Sequence, residues 1–138
     1  MAIKKPKFKY PAVMLLDDDD IDNFINMKMI EGCHFSENVQ VHTSGKSALE
    51  FLQNLIRLGD AGKNLFPSII FLDLNMPVMD GFQFADEFEK FSDAFKKSTT
   101  FLVLTTSLNP DDEIKAKKYK RVIKFVNKPL TQELLASL

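Results

Sequence analysis

The hydrophobic and polar positions along this chain follow two alternating patterns. Short, almost uniformly apolar runs are typical of buried strands in a parallel sheet, and longer segments with apolar residues three or four positions apart are typical of helices that cover it. The predicted strands are Tyr10–Leu16, Asn38–Thr43, Ser68–Leu72, Thr100–Leu104 and Val122–Val126. The predicted helices are Asp20–Ile30, Ser44 to near Gly59, Phe82–Phe88, Pro110–Lys120 and Leu130–Leu138.

This alternation predicts an α/β fold. Five strands that alternate with five helices predict a doubly wound, five-stranded parallel sheet with helices on both faces. In the first helix, Ile21, Phe24, Ile25 and Met29 recur at helical spacing and define an apolar face, and Gly32 is expected to close the helix.

The other segments are interpreted as connections. Residues 1–9 carry four lysines and are expected to form a basic, flexible arm in front of one domain that covers residues 10–138. The segment Leu58–Phe66 contains two glycines and an asparagine, and it is predicted to be a surface loop.

Composition excludes several classes of protein. With 138 residues, 45% of them hydrophobic, the chain is one domain of ordinary size. The net charge of −1 gives no reason to expect nucleic acid or an acidic membrane as a partner, and no run approaches the roughly 18 apolar residues of a membrane span. Cys33 is the single cysteine, and with no secretory apolar segment this predicts a cytoplasmic protein.

Chemically active side chains follow the predicted strands. Asp17 and Asp18 come after the first strand, Asp73 after the third, Thr105 after the fourth and Lys128 after the fifth. Ligands of such sheets bind at the carboxyl ends of the strands, so these residues are expected to share one site. Two carboxylates and a carbonyl suffice for Mg²⁺, and a carboxylate can accept a phosphoryl group when a metal, a hydroxyl and a lysine neutralise it.

The acidic run Asp17–Asp20 has a simpler alternative interpretation. It could be a solvated turn with a helix cap, and its last two members fit that alternative because either could be the N-cap. An EF-hand is excluded by register. Counted from Asp18, the sixth position is Asn23 instead of glycine and the twelfth is Met29 instead of glutamate.

The chain resembles the receiver domain of two-component response regulators over nearly its whole length. The resemblance rests on Leu15-Leu16-Asp17-Asp18, on Leu72-Asp73-Leu74-Asn75-Met76-Pro77 with Met79-Asp80-Gly81, on Leu104-Thr105 and on Phe125-Val126-Asn127-Lys128-Pro129. It implies a stand-alone receiver of the chemotaxis-regulator type, with the flavodoxin-like strand order 2-1-3-4-5.

The same resemblance implies a role for each matching residue. Asp73 would accept the phosphoryl group, Thr105 would hydrogen-bond to it and Lys128 would pair with it. The Mg²⁺ ligands would be Asp17 (directly or through water), Asp18, Asp73 and the backbone carbonyl of Asn75. Phe125 would be the aromatic residue that reports phosphorylation, and the Lys128–Pro129 peptide bond would be cis.

Partners follow from this resemblance as well. The phosphoryl donor would be a histidine kinase or a histidine phosphotransfer protein, and the chain would be no enzyme beyond its own phosphorylation and dephosphorylation. It would act on an unknown protein target, or as a homodimer through the fourth predicted helix, fifth strand and fifth helix. The basic residues of this region are either a contact surface or an ordinary solvated helix face. They are Lys115, Lys117, Lys118, Lys120 and Arg121.

Two other functions use similar residues. A haloacid-dehalogenase-type phosphohydrolase also needs an aspartate, Mg²⁺, a hydroxyl and a lysine, but its nucleophile lies on the first strand as Asp-x-Asp, which Asp17-x-Asp19 matches only superficially. A phosphate-independent pseudo-receiver is the third class, and the intact Asp73, Thr105 and Lys128 argue against it.

Three assignments have an ordinary structural alternative. Phe125 could be core packing, and Lys128 could be a surface lysine. Thr106 and Ser107 could be loop hydroxyls, and the sequence leaves open which of the adjacent threonines faces the site.

Overall fold

The computed structural model contains one parallel sheet with the strand order β2-β1-β3-β4-β5. The structure describes residues 7–106 and 109–138. The strands are β1 (Tyr10–Leu16), β2 (Ser36–His42), β3 (Ile69–Leu72), β4 (Thr100–Thr105) and β5 (Val122–Asn127). The helices are α1 (Asp20–Gly32), α2 (Gly45–Arg57), α3 (Asp60–Lys63), α4 (Gly81–Phe88), α5 (Asp93–Lys96), α6 (Pro110–Lys117) and α7 (Gln132–Ala136). Residues 1–6 of the predicted arm and Ser107 lie outside the described residues.

The predicted α/β fold and its strand order are confirmed. Neighbouring residues of β1 point to opposite faces of the sheet, so each face has its own apolar cluster. Met14 and Leu16 pack in the cluster that holds residues of α2 and α4, whereas Val13 and Leu15 pack with residues of α1 and α7. The central strands are therefore covered on both sides, as their uniformly apolar sequences predict.

Helix α1 forms where it was predicted but buries the opposite face. Asp19 caps it by accepting hydrogen bonds from the backbone N–H groups of Ile21 and Asp22. Ile21, at the start of the apolar face, is 71% exposed, and Phe24 and Ile25 are exposed as well. The buried residues are two asparagines and Ile30, because this helix packs against strand ends that offer polar backbone groups.

The prediction of a surface loop at Leu58–Phe66 is wrong in part. The segment contains α3, and Gly62 is packed so closely on α2 that a Cβ atom there would overlap the carbonyl oxygen of Leu55. Phe66 is buried, and its ring lies 5.6 Å from that of Phe95. The segment therefore belongs to the core on the side of α2 and α4.

Helix α5 was not predicted, and the last two helices are shorter than expected. Arg121 holds the segment around α5, because its guanidinium bonds to the Glu89 carboxylate and to the carbonyl oxygens of Lys96 and Thr99. Helix α6 ends at Lys117, and α7 begins only after Thr131, whose side chain caps it. Among the helices that the structure describes, none combines the length and apolar character needed to cross a bilayer.

Candidate functional site

The ends of β1 and β3 bring two buried carboxylates together. Leu16 and Leu72 pair across these strands, so Asp17 and Asp73 follow at the same edge of the sheet. Both side chains are buried, Asp18 beside them is exposed, and one oxygen from each of the three carboxylates lies within 4.8 Å of the others. Hard oxygen donors in this arrangement fit Mg²⁺.

The loop after Asp73 is held in place by glycine packing and a capped helix. The N–H of Gly81 donates to the Leu74 carbonyl over 3.0 Å, and a Cβ atom at Gly81 would lie 2.7 Å from the carbonyl oxygen of Asp73. Asp80 caps α4 in a capping box with Gln83. Asn75, the predicted backbone ligand, is exposed in this loop, and its N–H donates to Asp73 Oδ1 over 3.4 Å.

Lys128 lies among carboxylates from three parts of the chain. Its Nζ atom is 2.5 Å from Asp17 Oδ2, 2.9 Å from Asp22 Oδ2 and 3.5 Å from Asp73 Oδ2. The side chain is 8% exposed, so the alternative of a surface lysine does not describe it. The predicted cis peptide bond between Lys128 and Pro129 is confirmed.

Burial and neighbouring charge shift the pKa values of the site. Burial first, and then the nearby Asp17 carboxylate, raise the pKa of Asp73 to about 6, although Lys128 and the N–H of Asn75 lower it. Burial lowers the pKa of Lys128, but the hydrogen bonds to Asp17 and Asp22 and the charge of Asp73 outweigh it, so the pKa lies above its ordinary value. The lysine is therefore a permanent cation in the site.

Thr105 ends β4, and the threonine after it lies outside the strand. Thr105 is completely buried, whereas Thr106 is exposed. The carbonyl of Thr105 accepts the N–H of Lys128 over 3.1 Å, which joins the ends of β4 and β5. This placement favours Thr105 as the site residue of the two.

Phe125 is half-buried beneath the same edge. It packs in a small apolar cluster with Leu74, Val103 and Ala116. Leu74 directly follows Asp73, so the aromatic ring and the carboxylate are linked through one residue of the loop.

Three residues of α1 that sequence analysis did not select complete the site. Asp22 contacts Lys128, Asn23 Nδ2 donates to the Asp17 carbonyl over 2.7 Å, and Asn26 Oδ1 accepts the N–H of Leu130 over 3.0 Å. The available signal was their own helical spacing, which places polar side chains opposite the apolar face.

The predicted basic surface is reduced by contacts within the chain. The Arg121 side chain is mostly buried and paired with Glu89. Lys117 pairs with Glu113, and Lys115 lies 4.3 Å from the centre of the Phe82 ring. The five basic residues therefore do not form one uniform patch.

Known proteins share both the sequence pattern and the fold. The probable methanogenesis regulatory protein FilR2 of Methanothrix harundinacea is 27% identical over 121 residues, 88% of this chain and 74% of that protein. Response regulator Rcp1 of Synechocystis is 29% identical over 103 residues, 75% of this chain and 67% of that protein.

A solved structure extends the similarity to the whole fold. The two-component response regulator from Cytophaga hutchinsonii is 37% identical and superposes with a TM-score of 0.82, covering 94% of this chain and 93% of its own. The family model described as the response regulator receiver domain matches residues 13–138. The chain therefore belongs to the response regulator receiver domain family.

Proposed function

We propose that this domain is a phosphorylation-dependent switch that accepts a phosphoryl group from phosphohistidine on Asp73. The observation that carries the proposal is the meeting of three carboxylates and the buried Lys128 at one edge of the sheet. Membership of the receiver family supports a signalling role instead of the turnover of a substrate.

The residues of the site suit phosphoryl transfer to a carboxylate. An oxygen of Asp73 would form the new O–P bond while the P–N bond to the donor imidazole breaks, and the imidazole would keep the electron pair and take up a proton. Lys128, 3.5 Å from Asp73 Oδ2, supplies fixed positive charge. Held by Asp17, Asp18, Asp73 and the carbonyl of Asn75, Mg²⁺ would neutralise charge on the transferring oxygens.

The switch would start from the charge that phosphorylation adds. A phosphoryl group brings nearly two negative charges at neutral pH, which would attract Lys128 and the Thr105 hydroxyl. Phe125 packs against the cluster that contains Leu74, the residue after Asp73, so we propose that the Phe125 ring changes position when Asp73 is phosphorylated. This would carry the signal to the surface of β5.

Exposed apolar side chains on α1, the helix that contributes Asp22 to the site, support a protein as the donor. Ile21, Phe24 and Ile25 on α1 are 71%, 58% and 44% exposed and lie close in sequence to the acidic pair. An exposed apolar group of this kind is typical of a protein contact. We propose that a histidine kinase or a phosphotransfer protein covers it while phosphohistidine enters.

A second exposed surface supports the output contact. Ile114 on α6 and Ile123 on β5 are 58% and 47% exposed, on the elements that were expected to bind a target or a second copy. Sedimentation with and without phosphorylation would distinguish these two partners, because only self-association changes the mass of the isolated protein.

The decisive experiment is mass spectrometry after incubation with Mg²⁺ and a phosphoramidate donor. We expect one adduct of about 80 Da on Asp73, and no adduct in Asp73→Asn, which removes the nucleophile and keeps the shape. Labelling of another residue in Asp73→Asn would contradict the assignment. An unlabelled wild type would indicate a pseudo-receiver, and repeated turnover of a phosphate ester would indicate a hydrolase.

A further inference from the structure

Lys128 is hydrogen-bonded to a carboxylate that does not come from a strand end. Asp22 lies in the first turn of α1, and its Oδ2 atom is 2.9 Å from Lys128 Nζ. Asp17 Oδ2, at the end of β1, is 2.5 Å from the same Nζ atom. The ammonium group is therefore held between α1 and the end of β1.

Helix α1 is fixed on both sides of this contact. Asn23 donates to the carbonyl of Asp17, and Asn26 accepts the N–H of Leu130, which lies two residues after Lys128. Asp19 caps the N–H of Asp22 itself over 3.0 Å. These bonds set the distance between the helix and the lysine, so the carboxylate of Asp22 is preorganised to receive it.

Of the three carboxylates around Lys128, that of Asp73 makes the longest contact. Lys128 Nζ lies 3.5 Å from Asp73 Oδ2, which is beyond the usual 2.7–3.2 Å range of a hydrogen bond. An ammonium group has three N–H donors, and Asp17 and Asp22 take the two shortest contacts. The bond to Asp22 therefore works against a closer approach of Lys128 to Asp73.

This competition affects what else the strand-end carboxylates can bind. If Lys128 lost Asp22, it could approach Asp73 more closely while it stays bonded to Asp17, and these are the same two carboxylates that would hold Mg²⁺. A cation already bound at those oxygens opposes the binding of a second one. Holding the lysine toward α1 keeps the carboxylates available.

We propose that Asp22 is a positioning residue that draws Lys128 toward α1 and so tunes the affinity of the strand-end carboxylates for Mg²⁺. The inference rests on the proposed role of Asp73 and adds a regulator of the same site. It predicts that Asp22 acts through Lys128 and not simply through its own negative charge.

A charge-matched pair of variants tests this proposal. Asp22→Asn and Asp20→Asn each remove one carboxylate from the first turn of α1, but Asp20 is exposed, and of these two aspartates only Asp22 has a described contact with Lys128. By calorimetric titration with Mg²⁺ alone, we expect Asp22→Asn to raise Kd about five-fold and Asp20→Asn to raise it less than about two-fold. Circular dichroism and thermal unfolding of each variant check that it is folded.

A double-mutant cycle separates the lysine from simple charge. In a Lys128→Ala background, Asp22→Asn should change the Mg²⁺ Kd no more than Asp20→Asn does, because its partner is gone. Phosphorylation by a phosphoramidate adds a second measurement. At limiting Mg²⁺ we expect Asp22→Asn to be phosphorylated more slowly than Asp20→Asn, and at saturating Mg²⁺ we expect the two rates to be equal. A misfolded site would not regain its rate in this way.

The outcomes distinguish this inference from the proposed function. Equal Kd values for Asp22→Asn and Asp20→Asn, or a loss that persists without Lys128, would overturn the positioning role while the phosphoacceptor role of Asp73 stands. Failure of the wild-type protein to bind Mg²⁺ and to form the adduct would overturn both.

Discussion

The Asp73 carboxylate is buried next to another carboxylate, and this has a cost in stability. Its pKa is raised from 3.8 to about 6, so the folded state binds a proton more tightly than the unfolded chain does. The protonated form therefore stabilises the fold. As the pH rises through the interval between these two values, that stabilisation is lost.

Asp73→Asn should remove this pH dependence. Above pH of about 7, we expect the variant to have a free energy of unfolding higher than wild type by on the order of 1–2 kcal/mol, after allowing for solvent screening, and the difference should vanish near pH 4. Urea unfolding at a series of pH values measures it. A difference that stays constant with pH would show that Asp73 is ionised normally.

Val78 is held in an unfavourable backbone conformation in the loop after Asp73. Its φ is 69°, in the left-handed region that β-branched residues avoid, and its side chain is fully exposed. Asparagine tolerates that region, so Val78→Asn should raise the free energy of unfolding by about 1 kcal/mol. Val41→Asn, at an exposed position of extended backbone in β2, is the control and should bring no gain in urea unfolding.

The principal site residues could be selected from sequence because each follows an apolar strand. Asp17, Asp73 and Lys128 lie directly after or close to runs that had to be buried, so their position at one edge followed from the parallel fold. Asp22 could not be found in this way. The apolar spacing of α1 pointed to the wrong face, and only contact with the strand ends makes its polar face the buried one.

At the level of elements, Gly62 decides whether α3 can pack on α2. A methyl group there would overlap the backbone of Leu55, which has no flexible end that could move aside. Gly62→Ala should therefore lower the free energy of unfolding by about 2 kcal/mol. Gly32→Ala, at a helical position with open space around it, should be neutral or slightly stabilising in the same urea titration. Equal effects would mean that α3 does not pack as described.

The strands and the helices with their own apolar pattern were predictable, and helices α3 and α5 were not. Five apolar runs and five helical segments carry their own signal, and each appears within a few residues of its expected place. Helices α3 and α5 have only four residues each and depend on tertiary contacts. The Arg121 guanidinium and the Phe66–Phe95 contact hold them, and such contacts between distant residues leave no local pattern.

For the whole molecule, the site joins elements that are far apart in sequence. Carboxylates after β1 and β3 repel one another in the folded state, so a cation bound between them should stabilise the entire domain. At free Mg²⁺ of about 100 times its Kd we expect about 2.7 kcal/mol of added stability, or a rise in Tm of about 10 °C. Asp18→Ala should weaken this effect in calorimetry, and an equal rise with NaCl of matched ionic strength would refute it.

Helices α3 and α5 both lie just before strands, at the amino ends of β3 and β4, whereas the carboxylates and Lys128 lie at the carboxyl ends. Both short helices thus lie at the end of the sheet opposite the candidate site. A fluorophore or a surface linker attached to the exposed Asn64 or Ser98 would leave the acidic edge open to a donor protein. A label at this end of the sheet would therefore suit real-time measurements of the proposed phosphorylation of Asp73.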